Sequence, residues 1–507
     1  MTGSWPASPA QQGMWLTERA GVAGRAFHMP LAVWLDGPLD VVALGEACEE
    51  VARRHPVLGG VLAEDGGELR VVPDAVPPMR EGGDLQEELA GPVDPVDGPA
   101  ARFTLIREDA KRHVLLFQAH HAVFDGESKD ILLRDLAAWY GGAAPAPLGA
   151  TYPEVAVQQQ VRLAEALPGA RRYWAAQWQA QWQDQRELCL PGLTGVSVAA
   201  APGSALDFVV EDLGGLAERL EVTRFEAVLA AFVALLRAYG NARPAVGVDL
   251  STRTDGSRDH VGAFVNELPV IGAPEGGTFG EFARSLRGDL RRLYRHREVP
   301  LARAVDGIGP RAALTPVSLS YRRRPETSPL FPGLGASVEW MMFNGWVRNT
   351  LHLQIVDDQA GTAARLQYNP ALLDRSGAER IREHLAALLA AVAADPEAPL
   401  DRLPLPGPVP AASVTAATAA SVAVKDGPVD ADLVREIQAI FAKELELDDV
   451  EPDEDLFDLG GHSLTITQIM ARTRERLGVE LSFELFIDDA TAMGIAAEVA
   501  RLRERTC

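Results

Sequence analysis

Apolar side chains recur along this chain with two spacings, and the switch between them marks the elements. From Val41 to Arg54 the apolar positions Leu44, Ala47, Cys48 and Val51 follow the three-and-four spacing of a helix face, with Asp40 placed to cap its start. Met29 to Leu35 predicts a strand, and the short apolar run Val114 to Ala119 predicts a buried one. Ser128 to Trp139, Phe225 to Tyr239 and Arg375 to Ala393 predict helices, and Ala245 to Leu250 a further strand. The alternation implies a mixed α/β fold. The Gln- and Trp-rich stretch Trp174 to Gln185 predicts a hinge helix between two halves. No repeat of fixed period is visible, and the longest apolar runs, such as Ala227 to Leu236, are too short to span a bilayer.

The pattern breaks at Leu403. From there to Pro428 the chain is Pro, Ala, Ser and Thr with almost no large apolar residue, so it cannot build a core and predicts a linker. Partly extended at about 3 Å per residue, it reaches roughly 70 Å. Beyond it Leu433, Ile437, Ile440, Phe441 and Leu445 form one helical stripe. An acidic loop follows, then Gly460-Gly461-His462-Ser463, then a helix containing Leu464, Ile469 and Met470, and two shorter helical segments complete a small bundle. The chain thus divides into residues 1–403, 404–428 and 429–507.

Composition narrows the class. A chain of 507 residues exceeds one ordinary core. The net charge of −23 counts against a nucleic-acid partner, which requires a basic face. Asp430 to Cys507 alone carries 19 acidic against 8 basic side chains, close to half of that excess, which sets the last segment apart as a unit. Cys48, Cys189 and Cys507 are odd in number and widely spaced, indicating neither a disulfide framework nor a zinc site. With no basic-then-apolar leader at the N-terminus, the expectation is a cytoplasmic monomer without membrane contact. The excess of Arg over Lys hints at a GC-rich bacterial genome.

Two motifs carry chemistry. His120-His121-Ala122-Val123-Phe124-Asp125-Gly126 ends the predicted strand 114–119. Successive strand side chains point to opposite faces, so one histidine can line a given cavity and the other must be satisfied elsewhere. That geometry also argues against a shared metal ion. A neutral imidazole near pH 7 suits amine acylation: it can take the proton an attacking nucleophile loses, or stabilise the charge that develops. A backbone N–H near the turn would be placed to stabilise an oxyanion. Gly126 permits a tight turn or close approach of substrate to backbone. The second motif, Asp458-Leu459-Gly460-Gly461-His462-Ser463-Leu464, puts a serine at a helix start after two glycines. Free N–H groups and the positive dipole end there tolerate a phosphodiester, whereas a serine before a helix is in general an N-cap.

The first motif resembles the HHxxxDG signature of the condensation-domain superfamily, which shares its fold with chloramphenicol acetyltransferase. Further motifs stand in family order: Ser8 to Leu16 resembles SxAQxRxWxL, Arg54-His55-Pro56-Val57-Leu58 resembles RHExLRT, Tyr152 to Val157 resembles YxDFAVW, Val261 to Pro269 resembles VGxFVNTLP, and His296 to Leu301 resembles HQDVPFE. The second motif resembles the DxFFxLGGxSL of peptidyl carrier domains, continued by Arg472, Arg474, Glu475, Leu477, Gly478 and Val479.

The resemblance implies a two-lobed, V-shaped fold around a tunnel, with lobes of about 1–175 and 176–403, followed by a four-helix carrier bundle. It implies that His121 is catalytic and that His120, Asp125 and Gly126 shape its motif. Asp125 would pair with the arginine of the family's LRT, but Gly59 stands at that position here, so another arginine must serve or the pair is missing. Asn266 would face the acceptor side or act as a strand-end structural amide. Ser463 would carry 4′-phosphopantetheine, with Leu464, Ile466 and Met470 exposed toward partner enzymes, although core is the better reading for Met470.

The function so implied is a nonribosomal peptide synthetase didomain that joins a thioester-bound acyl donor to an amine or hydroxyl. Its partners would be a phosphopantetheinyl transferase, an adenylation or other loading enzyme acting in trans, and further carrier proteins or an acyl-CoA donor. The rival readings are an inactive scaffold that recruits enzymes to the carrier, an epimerase, and a CoA-dependent acyltransferase. An epimerase usually follows its carrier, and its EGHGRE-type motif is missing.

Overall fold

The computed structural model describes residues 3–506 except 66–67, 178–186, 273–276, 306–307, 309–310, 325–330, 404, 407–413, 416–430, 446, 457–458, 460–462, 480, 482–484 and 489. Among the described residues, two large open sheets, a three-stranded sheet of Trp5–Pro6, Glu68–Pro73 and Gly60–Asp65, two short strand pairs and a small helical bundle make up the architecture. The first sheet has five strands in the order Gly335–Glu339, His28–Asp36, Arg112–His120, Ala101–Arg107 and Met79–Gly82. Its odd positions Leu31, Val33, Leu115 and Phe117 enter a core shared with helices Val41–Arg54 and Ser128–Tyr140. The even positions Ala32, Val114 and Leu116 pack a smaller cluster on the opposite face. The run 114–119 is therefore apolar throughout because both faces are covered. Asp40 caps its helix as expected, accepting from Ala43 N at 3.0 Å.

The second sheet has six strands, ordered Ser204–Val210, Gly361–Tyr368, Leu351–Asp358, Val317–Arg323, Ala245–Ser251 and Val265–Ile271. Helix Arg224–Ala238 is buried from Glu226 to Leu236 in the core over this sheet, which explains its nearly unbroken apolar sequence. Its start is fixed by a capping box: Thr223 Oγ1 accepts from Glu226 N, and the Glu226 carboxylate accepts from Thr223 N.

Two features tie the lobes together. Helix Tyr152–Gln177 places Tyr152, Val155 and Ala156 in the first core and Ala170 and Trp174 in the second. The hinge expected over Trp174 to Gln185 falls largely on 178–186, outside the described residues. Strand Gly335–Glu339, reached from the second lobe, pairs antiparallel with His28–Asp36 in the first.

In the C-terminal bundle Leu433, Ile437, Ile440 and Phe441 of helix Ala431–Glu444 form the expected stripe. They pack against Ile466 and Ile469 of helix Ser463–Leu477 and Ile495 and Val499 of helix Ala492–Thr506. Ile466 is fully buried, which corrects the expectation that it is exposed to partners; Met470 is half-buried against the same core, and the Leu464 side chain lies outside what is described. Leu16, Ala20 and Val22, at the end of the first helix of the chain, join this cluster.

Candidate active site

The strand that reaches the histidines ends at His120, and the two imidazoles part there because His121 already belongs to the turn. His120 is fully buried. Its Nδ1 accepts from Ala122 N at 3.1 Å, and its Nε2 lies 2.9 Å from Glu18 Oε1. His121 enters the turn and lines a cavity of about 290 Å³ between the lobes. Its Nδ1 is 2.8 Å from Phe124 O. A carbonyl only accepts, so Nδ1 carries the proton and Nε2 keeps a lone pair. Burial, then the nearby Arg348 cation, lower the His121 pKa; Asp249 and Asp125 oppose them without prevailing. The ring is thus neutral at pH 7.

The rest of the turn is pinned from three sides. His121 N donates to Phe27 O at 2.8 Å, and Gln11 Nε2 donates to Ala122 O at 3.0 Å. Asp125 anchors the turn to the other lobe. It accepts from Ser128 N and Oγ, each at 2.7 Å, from Phe264 N at 3.0 Å and from Arg253 Nη2 at 2.8 Å. Burial by itself would raise the Asp125 pKa, but Arg253, Ser128 and Phe264 outweigh it and hold the carboxyl below its usual range. Arg253 also donates to the carbonyls of Ser257 and His260, so a short loop after strand Ala245–Ser251 is folded around it.

Arg253 supplies the pairing that Gly59 cannot. A Cβ on Gly59 would stand 2.5 Å from Ala75 O, so the local backbone has no room for a side chain, and the ion pair is made from the other lobe. Nothing in the sequence pattern singles out Arg253, since it lies 128 positions from its partner. The Arg54-His55 motif is likewise structural: both side chains meet Asp135 Oδ2, at 2.8 and 3.0 Å, and join the two helices behind the sheet.

Gly126 lines the His121 cavity with an ordinary negative φ, and a Cβ there would meet only Arg322 Cδ at 3.7 Å. A left-handed turn is therefore not what this glycine provides; it leaves the backbone open to the cavity. Asn266 does not reach that cavity. Its Nδ2 donates to Arg297 O at 2.8 Å, and it borders a small separate cleft with Glu298 and Pro300. Ser463 is the first residue of its helix, and Gly460, Gly461 and His462 before it lie outside the described residues. The backbone N–H groups of a helix start fit a phosphodiester. The cavity wall also holds Lys129, Asp249, Arg322, Trp340, Arg348 and His352, which sequence reasoning did not reach.

The condensation-domain family matches residues 1–413, and the phosphopantetheine attachment site family matches residues 435–499. Among curated proteins, surfactin synthase subunit 1 of Bacillus subtilis (strain 168) is 28% identical over 429 residues, covering 79% of this chain and 12% of that protein. Tyrocidine synthase 3 of Brevibacillus parabrevis is 26% identical over 429 residues, covering 79% of this chain and 6% of that protein. The chain thus spans only a small part of the length of these relatives. Among solved structures, the first condensation domain of the calcium-dependent antibiotic synthetase superposes with a TM-score of 0.66 at 21% identity, covering 80% of this chain and 99% of that one. The X-domain in complex with OxyB from teicoplanin biosynthesis superposes with a TM-score of 0.64 at 24% identity, covering 80% and 96%. At these identities the likeness establishes the fold alone.

Proposed function

The chain belongs to the condensation-domain family, and from that premise we propose that it forms an amide or ester bond between a thioester-bound acyl group and a nucleophile, one of the two being tethered at Ser463. The observation that carries this reading is His121. It is a neutral ring in an inter-lobe cavity, with its proton fixed on Nδ1 by Phe124 O and its Nε2 lone pair without a partner among the described residues.

The attacking amine forms a bond to the thioester carbon and becomes positively charged. His121 Nε2 accepts the excess proton or stabilises that charge. The carbon–sulfur bond breaks, and the departing thiolate takes a proton, so atoms and charge balance. Asp125 and Arg253 hold the turn that aims the ring and do not touch the reacting atoms. Phosphopantetheine on Ser463 would supply the thiol on which a substrate rides. The packing of Leu16, Ala20 and Val22 against the C-terminal bundle supports delivery within the chain. The arm would be installed by a phosphopantetheinyl transferase, with cargo loaded by an adenylation or other enzyme acting in trans.

The test begins with the mass of the Ser463 peptide after incubation with a phosphopantetheinyl transferase and CoA. A phosphopantetheine adduct, lost in Ser463→Ala, is expected; an unmodified serine removes the carrier role. The same chain, loaded with an amine and supplied with an acyl thioester, should release or retain the coupled product. Product formation unaffected by His121→Ala would favour recruitment instead, a role suggested by the X-domain that was solved with OxyB.

A further inference from the structure

One wall of the His121 cavity is cationic, and bond formation at the histidine gives it no task. Lys129 is the second residue of helix Ser128–Tyr140 and is 5% exposed. Its Nζ donates to Pro30 O at 3.1 Å and Trp340 O at 3.2 Å, just where strands His28–Asp36 and Gly335–Glu339 stop pairing. Two of its three protons are used on these carbonyls. The acidic neighbours that act on it, Asp130 and Glu339, do so through space, and Asp130 is itself bonded by Arg322 and Arg324. Arg322 runs beside it: its Cδ lies 3.7 Å from where a Gly126 Cβ would stand, and its Nε is buried without a hydrogen-bond partner among the described residues. The guanidinium carbon sits 4.9 Å from the centre of the Trp340 ring, which fixes the side chain's course.

A buried ammonium without a bonded counter-ion and a buried guanidinium N–H without an acceptor are costly arrangements unless something answers them. The other acidic groups of the cavity do not. Asp125 is engaged by Arg253, Asp249 lies 4.0 Å from Arg348, and Glu127 lies 3.5 Å from Arg253. We propose that Lys129 Nζ and Arg322 Nε form a subsite for a carboxylate on the acyl or aminoacyl group brought to His121, so that the preferred substrate class is acidic.

The proposal rests on the condensation reading of the same cavity. A substrate carboxylate fits better than the phosphate of the carrier arm. That phosphate stays with the serine at the carrier, whereas Gly126 places this wall beside the histidine turn. Burial, then Arg322, lower the Lys129 pKa to about 7, and an anion in the subsite opposes both effects and keeps the ammonium charged.

Calorimetry on the full chain tests it. The probes are succinyl-, glutaryl- and adipyl-pantetheine, each against its terminal carboxamide and its methyl-ended analogue. At least one carboxylate is expected to bind about tenfold or more tighter than its carboxamide, the scale of a charge-assisted hydrogen bond. That preference should shrink to within about twofold in Lys129→Met and in Arg322→Gln. The second variant keeps a donor toward Asp130 and leaves the Lys129 clamp on the two strands intact, so a misfolded Lys129→Met does not end the test. Equal binding of all three probe types, no binding at all, or a carboxylate preference unchanged in both variants overturns the proposal. Product formation is followed in parallel. Coupling of the methyl-ended acyl groups without any carboxylate advantage sinks the subsite alone. Selective carboxylate binding with no coupling of any probe sinks the condensation reading and leaves the subsite standing.

Discussion

His121 sits in a turn pinned from both lobes, whereas Ser463 opens a helix in a small bundle beyond a Pro- and Ala-rich linker. The turn is held by Phe27, Gln11 and Phe124 around the histidine, and by Arg253, Ser128 and Phe264 around Asp125. The bundle rests on a compact apolar core with one bordering patch from the first helix of the chain. The difference fits the two tasks proposed for these groups. A group that must meet a reacting atom at one geometry gains from being over-determined. A group that carries cargo between sites needs only a core large enough to fold and a tether long enough to travel.

Three probes test this contrast, in falling order of effect. Replacing His121 by Ala should lower coupled product about 10²- to 10⁴-fold while leaving modification of Ser463 by the transferase intact. A parallel loss of modification would mean that the two regions are not separable. Arg253→Met should leave the Asp125 carboxylate buried and unpaired, at about 3–5 kcal/mol of stability in the condensation region. Urea unfolding followed by tryptophan fluorescence reads that loss, since no tryptophan follows Trp346 in the sequence. Arg253→Met combined with Asp125→Leu should recover part of it. A single variant as stable as the parent would show that the pair does not hold the turn.

The third probe is pH. Burial, with nearby cations, lowers the pKa of His28, His260 and His352 to about 4 from an ordinary value of 6.5. Below pH 6.5 the unfolded chain binds protons that the folded one refuses, so stability falls with acidification until pH 4, where the folded rings protonate too. The loss should be about 1 kcal/mol per histidine for each pH unit in that window. The carrier segment has a single histidine, His462, so its unfolding should move less over the same range. Equal shifts in both regions would remove this distinction.

How much of this was legible in sequence differs from element to element. The strand at 28–36, the helices at 41–54 and 128–140 and the carrier's first stripe could be read because their apolar periods are local properties of the chain. The parting of His120 and His121 was legible too, although the turn rather than strand alternation produces it. Ile466 was misjudged because the helix that begins at Ser463 still needs one face in the core of so small a bundle. The cationic wall was out of reach, since Lys129 looks like any polar residue in a first helical turn until Pro30 and Trp340 are seen around it.

The sequence by itself determined the order of elements, the division into a large α/β part and an acidic helical part, and the two motifs on which the proposed chemistry depends. Those features rest on backbone geometry and on spacing within a few turns. Only the tertiary structure decided which arginine neutralises Asp125, that helix Tyr152–Gln177 runs through both cores, and that strand Gly335–Glu339 closes the first sheet from the second lobe. These are pairings between distant parts of the chain, chosen by which side chains are left to satisfy one another once two lobes exclude water between them. A one-dimensional pattern has no term for that choice.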